Sequence, residues 1–166
     1  MSSLDSIVLM DTERHLTNAG VEKVSSGQLP EGVVLMSSRA PIGYLAISET
    51  PVSVNQGIIA LLPNETFGPM YLLLWLHFNM AAIKDRANGS TFMEISKANF
   101  RPIPFLCPAS DTAALFNERA RLLYEKILTN AKQVETLVSI RDALLPKLLS
   151  GQLRIPEVER VVTEAV

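Results

Sequence analysis

Apolar and polar positions follow two rhythms along this chain, and the rhythm changes near Pro108. From Ile7 to Leu106, short apolar runs are punctuated by Gly, Pro, Asn and Ser. Gly32 precedes Val33 to Met36, and Pro41 and Gly43 precede Tyr44 to Ile47. Val52 to Val54 leads through Asn55, Gln56 and Gly57 into Ile58 to Leu62. Such β-branched runs between turn formers predict strands. Phe67-Gly68-Pro69 then gives way to a stretch too long for a strand and rich in helix formers, predicting a helix from about Pro69 to Ala87. Asn88-Gly89-Ser90 suits the positive φ that ends a helix. Phe92 to Ile95 reads as a short strand, and Ile103 to Leu106 as a proline-bounded extended exit.

Beyond Pro108 the punctuation stops. Residues 109–145 hold no Gly or Pro, and Ser110 or Asp111 suits an N-cap. Steps of four and three from Phe116 reach Ala120, Leu123, Ile127, Asn130, Val134, Leu137, Arg141, Leu144 and Leu148; all but Asn130 and Arg141 are apolar. That is the stripe of a coiled coil, with Asn130 as the polar residue that fixes register. Pro146 is expected to end or kink the helix, and Gly151 to cap it. A helix of about 37 residues runs about 55 Å, more than a domain this small is wide. Part of the stripe is therefore expected to meet a partner helix; packing on its own domain is the alternative, strongest for Phe116 and Leu148 at the two ends. The pattern as a whole predicts an α+β chain: a small mixed β/α domain over residues 1–108, a long coiled-coil helix over 109–152, and a short tail over 153–166.

Composition narrows the function. With 48% hydrophobic and 19% charged residues the chain is globular. Its mean hydropathy is slightly positive, yet the most apolar stretch, Met70 to Ile83, carries His77 and Asn79 and is too short to span a membrane. The N-terminus lacks the basic start of a signal peptide, so a cytoplasmic address is expected. Cys107 is the single cysteine, which excludes an internal disulfide, and beside Pro108 it reads as a packed residue.

Catalytic chemistry is hard to find. The chain has no phosphate-binding glycine loop and no G-x-S-x-G elbow. His15 and His77 show no carboxylate or nucleophile partner by spacing, and His77 reads as a core or surface histidine. The chain is therefore expected to be no enzyme, with no cofactor and no metal. Net charge is −2, which by itself argues against DNA, since phosphate attraction shows as a basic excess. The distribution is uneven. Only Arg14, Lys23 and Arg39 face seven acids over residues 1–83, whereas Lys84, Arg86, Lys97 and Arg101 outnumber Asp85 and Glu94 over 84–101.

Two places are more specific than composition. SIRDALLPKLLSGQLRI, residues 139–155, closely resembles the signature that closes the helical spacer of type I restriction specificity subunits. Upstream, LTNAG within residues 11–47, the following LPEGVVLMSSRAPIG, VNQGIIALLP at 54–63 and GSTFMEISK within 89–108 resemble that family's stations in order and spacing. The resemblance covers nearly all of residues 11–155. It implies one target-recognition domain and one spacer helix, where the family carries two of each packed antiparallel. The chain then resembles a half-subunit or a partial one, with the first residues of the recognition domain missing. It also implies a non-catalytic role: reading half of a split site on double-stranded DNA, and docking methyltransferase (modification) subunits and a restriction subunit that hold the chemistry. Pairing would be as a homodimer through the long helix, or with a second spacer helix. The competing reading is a truncated interaction protein whose helix dimerises, or binds methyltransferase subunits, without reading DNA.

Directed donors on a rigid platform read bases, while Lys and Arg position the DNA backbone. Ser38 and Arg39 offer a loop guanidinium for phosphate or guanine, or a turn held by an internal ion pair. Asn55 and Gln56 fit adenine, or tie neighbouring loops together. Ser90 and Thr91, after Gly89, suit a phosphate cradle or a helix cap. Lys97 followed by Arg101 suits phosphate, as do Lys84 and Arg86; each is otherwise a solvated charge. The expected helix interface comprises Phe116, Leu123, Ile127, Asn130, Val134, Leu137, Arg141, Leu144 and Leu148.

Overall fold

The computed structural model describes residues 7–89, 93–153 and 163. It forms two compact units, Met1–Tyr124 and Glu125–Val166, which part inside a helix.

The first unit is built on a four-stranded sheet in the order β1-β3-β2-β4, from β1 (Val8–Leu9), β2 (Val34–Ser37), β3 (Leu45–Ser48) and β4 (Ile58–Leu61). The central strand β2 pairs antiparallel with both neighbours, placing Val34 opposite Ile47 and Leu61, and Met36 opposite Ile59. β1 runs parallel to β3. β2 is buried along its whole length because both faces are covered. Val34 and Met36 point into the main core with Ile47, Leu72, Leu76 and Ile83. Val33 and Leu35 point the other way, against Val52. This two-sided burial explains why β2 reads as a continuous apolar run instead of an alternating one.

Three short elements had no counterpart in the sequence pattern: β1, α1 (Asn18–Val21), capped by Thr17, and a helix over Lys97–Phe100. The predicted Val52–Val54 strand is reduced to one bridge between Val52 and Leu29.

The helix expected over 69–87 is two helices, α2 (Pro69–Phe78) and α3 (Met80–Asp85). Asn79 divides them at φ −95°, ψ 8°. Its side-chain amide donates to the Trp75 carbonyl at 2.8 Å, and its backbone N–H donates to the same oxygen at 3.0 Å. An asparagine that hydrogen-bonds the preceding turn competes with helix continuation. Met80 packs where Gly43 passes at φ 105°. A β-carbon on Gly43 would lie 2.6 Å from Met80 Sδ, so glycine is required there on both counts. α4 (Lys97–Phe100) follows, with Ser96 as its N-cap accepting from Asn99 N–H.

α5 (Ser110–Leu149) has 40 residues and runs through Pro146. Pro146 therefore does not end the helix, which removes one of the two outcomes expected of it. The backbone donor it lacks is missing beside Asp142, whose side chain is 60% exposed, so water can serve that turn. The end comes at Gly151 (φ 74°), where Leu153 N–H donates to the Lys147 carbonyl at 3.2 Å, a C-cap of the expected kind.

The first turns of α5 belong to the first unit. Ala113 and Ala120 are buried, and Phe116 meets Tyr71 edge-on at 5.5 Å. Asn117 donates to the Thr66 carbonyl and accepts from Gly68 N–H, and the Tyr124 hydroxyl donates to Glu49 at 2.5 Å. Steps of three and four bring these residues onto one helix face. In the second unit none of the described residues is buried. The mixed α+β fold followed by helix stands. A coiled coil needs a second long helix, and among the described residues the chain supplies only α5. No helix among the described residues is long and apolar enough to cross a membrane.

Candidate nucleic-acid interface

Three distant stretches converge beyond the end of β2. The loop after Ser37 is closed by that residue's hydroxyl, which donates to the Pro41 carbonyl at 2.7 Å and accepts from Tyr44 N–H at 2.8 Å. Ala40 inside it sits at φ 54°, rare for a residue with a β-carbon. Ser38 is the junction. Its N–H donates to the Gly57 carbonyl, its hydroxyl donates to the Gln56 carbonyl at 3.3 Å, and its carbonyl accepts from Ile95 N–H. At 1% exposure with its hydroxyl engaged, Ser38 is a strut of the loop and not a surface donor.

Arg39 lies at the surface beside this strut. Its Nη1 is 3.8 Å from Glu94 Oε2, both side chains being over two-fifths exposed, so the pair contributes little to stability. A β-carbon on Gly57 would lie 3.1 Å from Arg39 Nε and from Asn55 Oδ1, so the guanidinium stem crosses the turn where glycine leaves room. Asn55 spends its side-chain oxygen on Gly57 N–H at 2.8 Å. In the free chain it ties the turn, and a bidentate adenine contact would have to share that oxygen. Gln56 is exposed.

The third stretch is a small ribbon. Asn88 and Glu94 exchange both backbone hydrogen bonds, and Glu94 bridges on to Arg39. Ser90 and Thr91 fall outside the described residues. Lys84, Arg86, Lys97 and Arg101 are all exposed. Lys97 and Arg101 lie one helical turn apart at the two ends of α4, joined by an Arg101 N–H bond to the Lys97 carbonyl. The Asn99 amide donates to the Arg86 carbonyl at 3.1 Å, which ties α4 to the end of α3. Backbone pairing thus brings Arg39, Gln56 and the basic residues around α4 into one region of the first unit.

Other chemistry is sparse. Asp11 accepts from the ring of His15 at 2.7 Å, a pairing at a spacing of four that the sequence reading passed over. That bond, then one from Thr12 N–H, holds the Asp11 carboxyl below its ordinary range. Both partners are exposed, and the nearby Thr12 hydroxyl is turned to the Arg14 carbonyl, so no nucleophile is aligned. Cys107 is exposed, not packed. Among the described residues no group of three or more His, Cys, Asp or Glu could hold a metal.

The helix residues divide. Phe116 is engaged by Tyr71 within the first unit. Leu123, Val134 and Leu137 are 67%, 59% and 55% exposed. Ile127, Leu144 and Leu148 are half-buried, Asn130 is exposed, and Arg141 is exposed and paired with Asp142 at 2.7 Å. Residues that the sequence reading missed include Glu94, counted only as an acid among bases, and Tyr124, which lies off the chosen stripe. It also missed the ring cluster of Phe67, Tyr71, Trp75 and Phe105, beside a groove of about 650 Å³.

Residues 7–114 match a family described as type I restriction modification DNA specificity domain. The chain is 26% identical over 150 residues to the type I restriction enzyme HindI specificity subunit of Haemophilus influenzae, covering 89% of this chain and 33% of that protein. It is 29% identical over 113 residues to the MjaIX specificity subunit of Methanocaldococcus jannaschii, covering 67% and 26%. A putative MjaX specificity subunit of the same organism matches at 21% over 123 residues, covering 74% and 29%. The chain spans about a third or less of the length of the curated relatives it matches.

Proposed function

The chain belongs to the type I restriction modification DNA specificity domain family, and from that premise we propose that it is a non-catalytic DNA-recognition subunit, or half-subunit, of a type I restriction-modification complex. In this reading residues 1–108 form the target-recognition domain, 109–152 the spacer helix and 153–166 a tail. The recognition domain meets duplex DNA through Arg39, Gln56, Lys84, Arg86, Lys97 and Arg101. The spacer pairs with a second helix through Leu123, Ile127, Asn130, Val134, Leu137, Arg141, Leu144 and Leu148, either as a homodimer or with a longer partner. Methyltransferase and restriction subunits dock on the assembly and carry the chemistry, in the cytoplasm.

The observation that carries the reading is the family match over residues 7–114, most of the first unit. The convergence of exposed Arg39 and Gln56 with the basic residues around α4 supports it, since cations on a rigid frame are what a phosphate backbone requires. Selection from a random duplex library, with and without modification subunits, tests it. Enrichment of one sequence that survives competitor DNA is expected; binding that competitor abolishes in both conditions refutes it.

The exposed apolar residues of the second unit and the net charge of −2 favour a second reading: an interaction protein that pairs through α5, or titrates methyltransferase subunits, without reading DNA. Dimerisation with no enrichment in that selection supports this alternative.

A further inference from the structure

Arg39 and Glu94 are set opposite each other by the backbone. Arg39 bridges Glu94, and Glu94 is locked to Asn88 by two hydrogen bonds at 2.8 and 2.9 Å. The side chains add an ion pair at 3.8 Å, with 42% and 43% of each open to solvent. That separation is beyond a hydrogen bond. The carboxylate therefore cancels the guanidinium charge while leaving its donor fork uncommitted. Gly57 and Asn55 close the side beneath the stem of Arg39, and the exposed remainder faces water.

Resting on the DNA-recognition reading above, we propose that Glu94 is a displaceable counter-ion for Arg39. In the free chain it masks the guanidinium, and on duplex DNA a backbone phosphate oxygen takes its place. A phosphate replaces a carboxylate charge for charge and offers the same two-oxygen edge to the fork. A guanine edge is neutral and would leave the guanidinium without a counter-anion, so it would not give Arg39 the salt dependence of a phosphate contact. Masking weakens the chain's grip on DNA, because the Arg39–phosphate contact must first displace an internal anion. Neither partner is needed to hold the fold here, since the loop is closed by Ser37 and Ser38 and the ribbon by backbone bonds.

A double-mutant cycle on the full chain tests this, with equilibrium binding to a mixed-sequence fluorescent duplex over a salt series. Melting curves confirm that each variant is folded. Glu94→Gln is expected to tighten binding about two- to fivefold when Arg39 is present, the range that an exposed ion pair can supply. In the Arg39→Met background the gain falls to half of that or less. Arg39→Lys, which keeps the charge but not the fork, retains an intermediate gain. Arg39→Met alone lowers the salt slope by about 0.9, the release expected for one phosphate contact. Equal gains in both backgrounds, or weaker binding by Glu94→Gln, overturn the proposal while leaving DNA recognition intact. No duplex binding by any variant, with or without modification subunits, removes the recognition reading and this proposal with it.

Discussion

Tyr124→Phe isolates the tie that fastens the start of α5 to the sheet. The hydroxyl donates to Glu49 Oε1 at 2.5 Å, and the ring packs against the main core. Phenylalanine keeps the ring and removes only the donor. Glu49 follows β3 directly, so the bond links the helix to the sheet across 75 positions of sequence. A hydrogen bond to a charged acceptor contributes about 1.5–3 kcal/mol when buried. Both groups here are only half-buried, which brings the expected loss to about 1 kcal/mol. For a domain of this size that is roughly 4 °C in Tm. The pH dependence gives a second, sharper readout. Burial first, then the Glu49 hydrogen bond and charge, push the Tyr124 hydroxyl far above its ordinary value. The folded state then holds a proton that the unfolded chain releases above about pH 10. The contribution is fully present below that pH and is lost as pH rises beyond it. Wild type should therefore be the more stable at neutral pH, and the gap to Tyr124→Phe should close and then reverse in strong alkali, by far-UV circular dichroism melts. A constant gap across that range, or no gap at pH 7, would show that the hydroxyl does not hold the helix.

Three further outcomes follow from the same geometry. Gly43→Ala forces a β-carbon to 2.6 Å from Met80 Sδ at φ 105°, and should cost about 1–3 kcal/mol; a urea midpoint equal to wild type contradicts it. Leu137→Asp changes a residue 55% exposed in the single chain, so it should alter the monomer's stability by less than about 0.5 kcal/mol while halving the molar mass in sedimentation. A dimer's mass retained in the variant refutes homodimer pairing through that face. Lys97→Gln combined with Arg101→Gln should weaken duplex binding and lower the salt slope by about 1.8, and an unchanged slope removes α4 from the interface.

Much of the fold was legible because burial imposes pattern. β2, β3 and β4 each combine β-branched or apolar residues with flanking turn formers, and each appears within a residue or so of its expected place. What escaped was decided by single side chains or by partners far along the sequence. The break at Asn79 rests on one amide reaching back to Trp75, inside a stretch whose helix propensity is otherwise high. Pro146 was given the power to stop a helix, yet that penalty is smaller where solvent can satisfy the neighbouring carbonyl. β1 and α4 are too short to show a period. Among the site residues, the basic cluster could be read from charge. The burial of Ser38 and the facing of Arg39 by Glu94 could not, because residues far apart in sequence meet only through the Ser38–Ile95 and Arg39–Glu94 pairings.

The long helix makes the strongest argument for a partner, and it turns on where α5 changes character. Up to Tyr124 the helix is held by buried alanines, a ring contact and three side-chain hydrogen bonds to its own unit. From Glu125 to Leu149 it runs on for about 37 Å with no buried residue among those described. Ile127, Val134, Leu137, Leu144 and Leu148 still recur along that length. An isolated helix gains little from propensity alone, and most helical stability in water comes from packing an apolar face. A partner helix would supply that packing, each seam residue contributing roughly 1.5–3 kcal/mol when fully covered. Amide hydrogen exchange separates the cases: protection from Glu125 onward should rise steeply with protein concentration if two copies share the seam, or on adding modification subunits if they supply the cover. Protection that is strong at high dilution and indifferent to both would mean the helix needs no partner, and the spacer role would have to be abandoned.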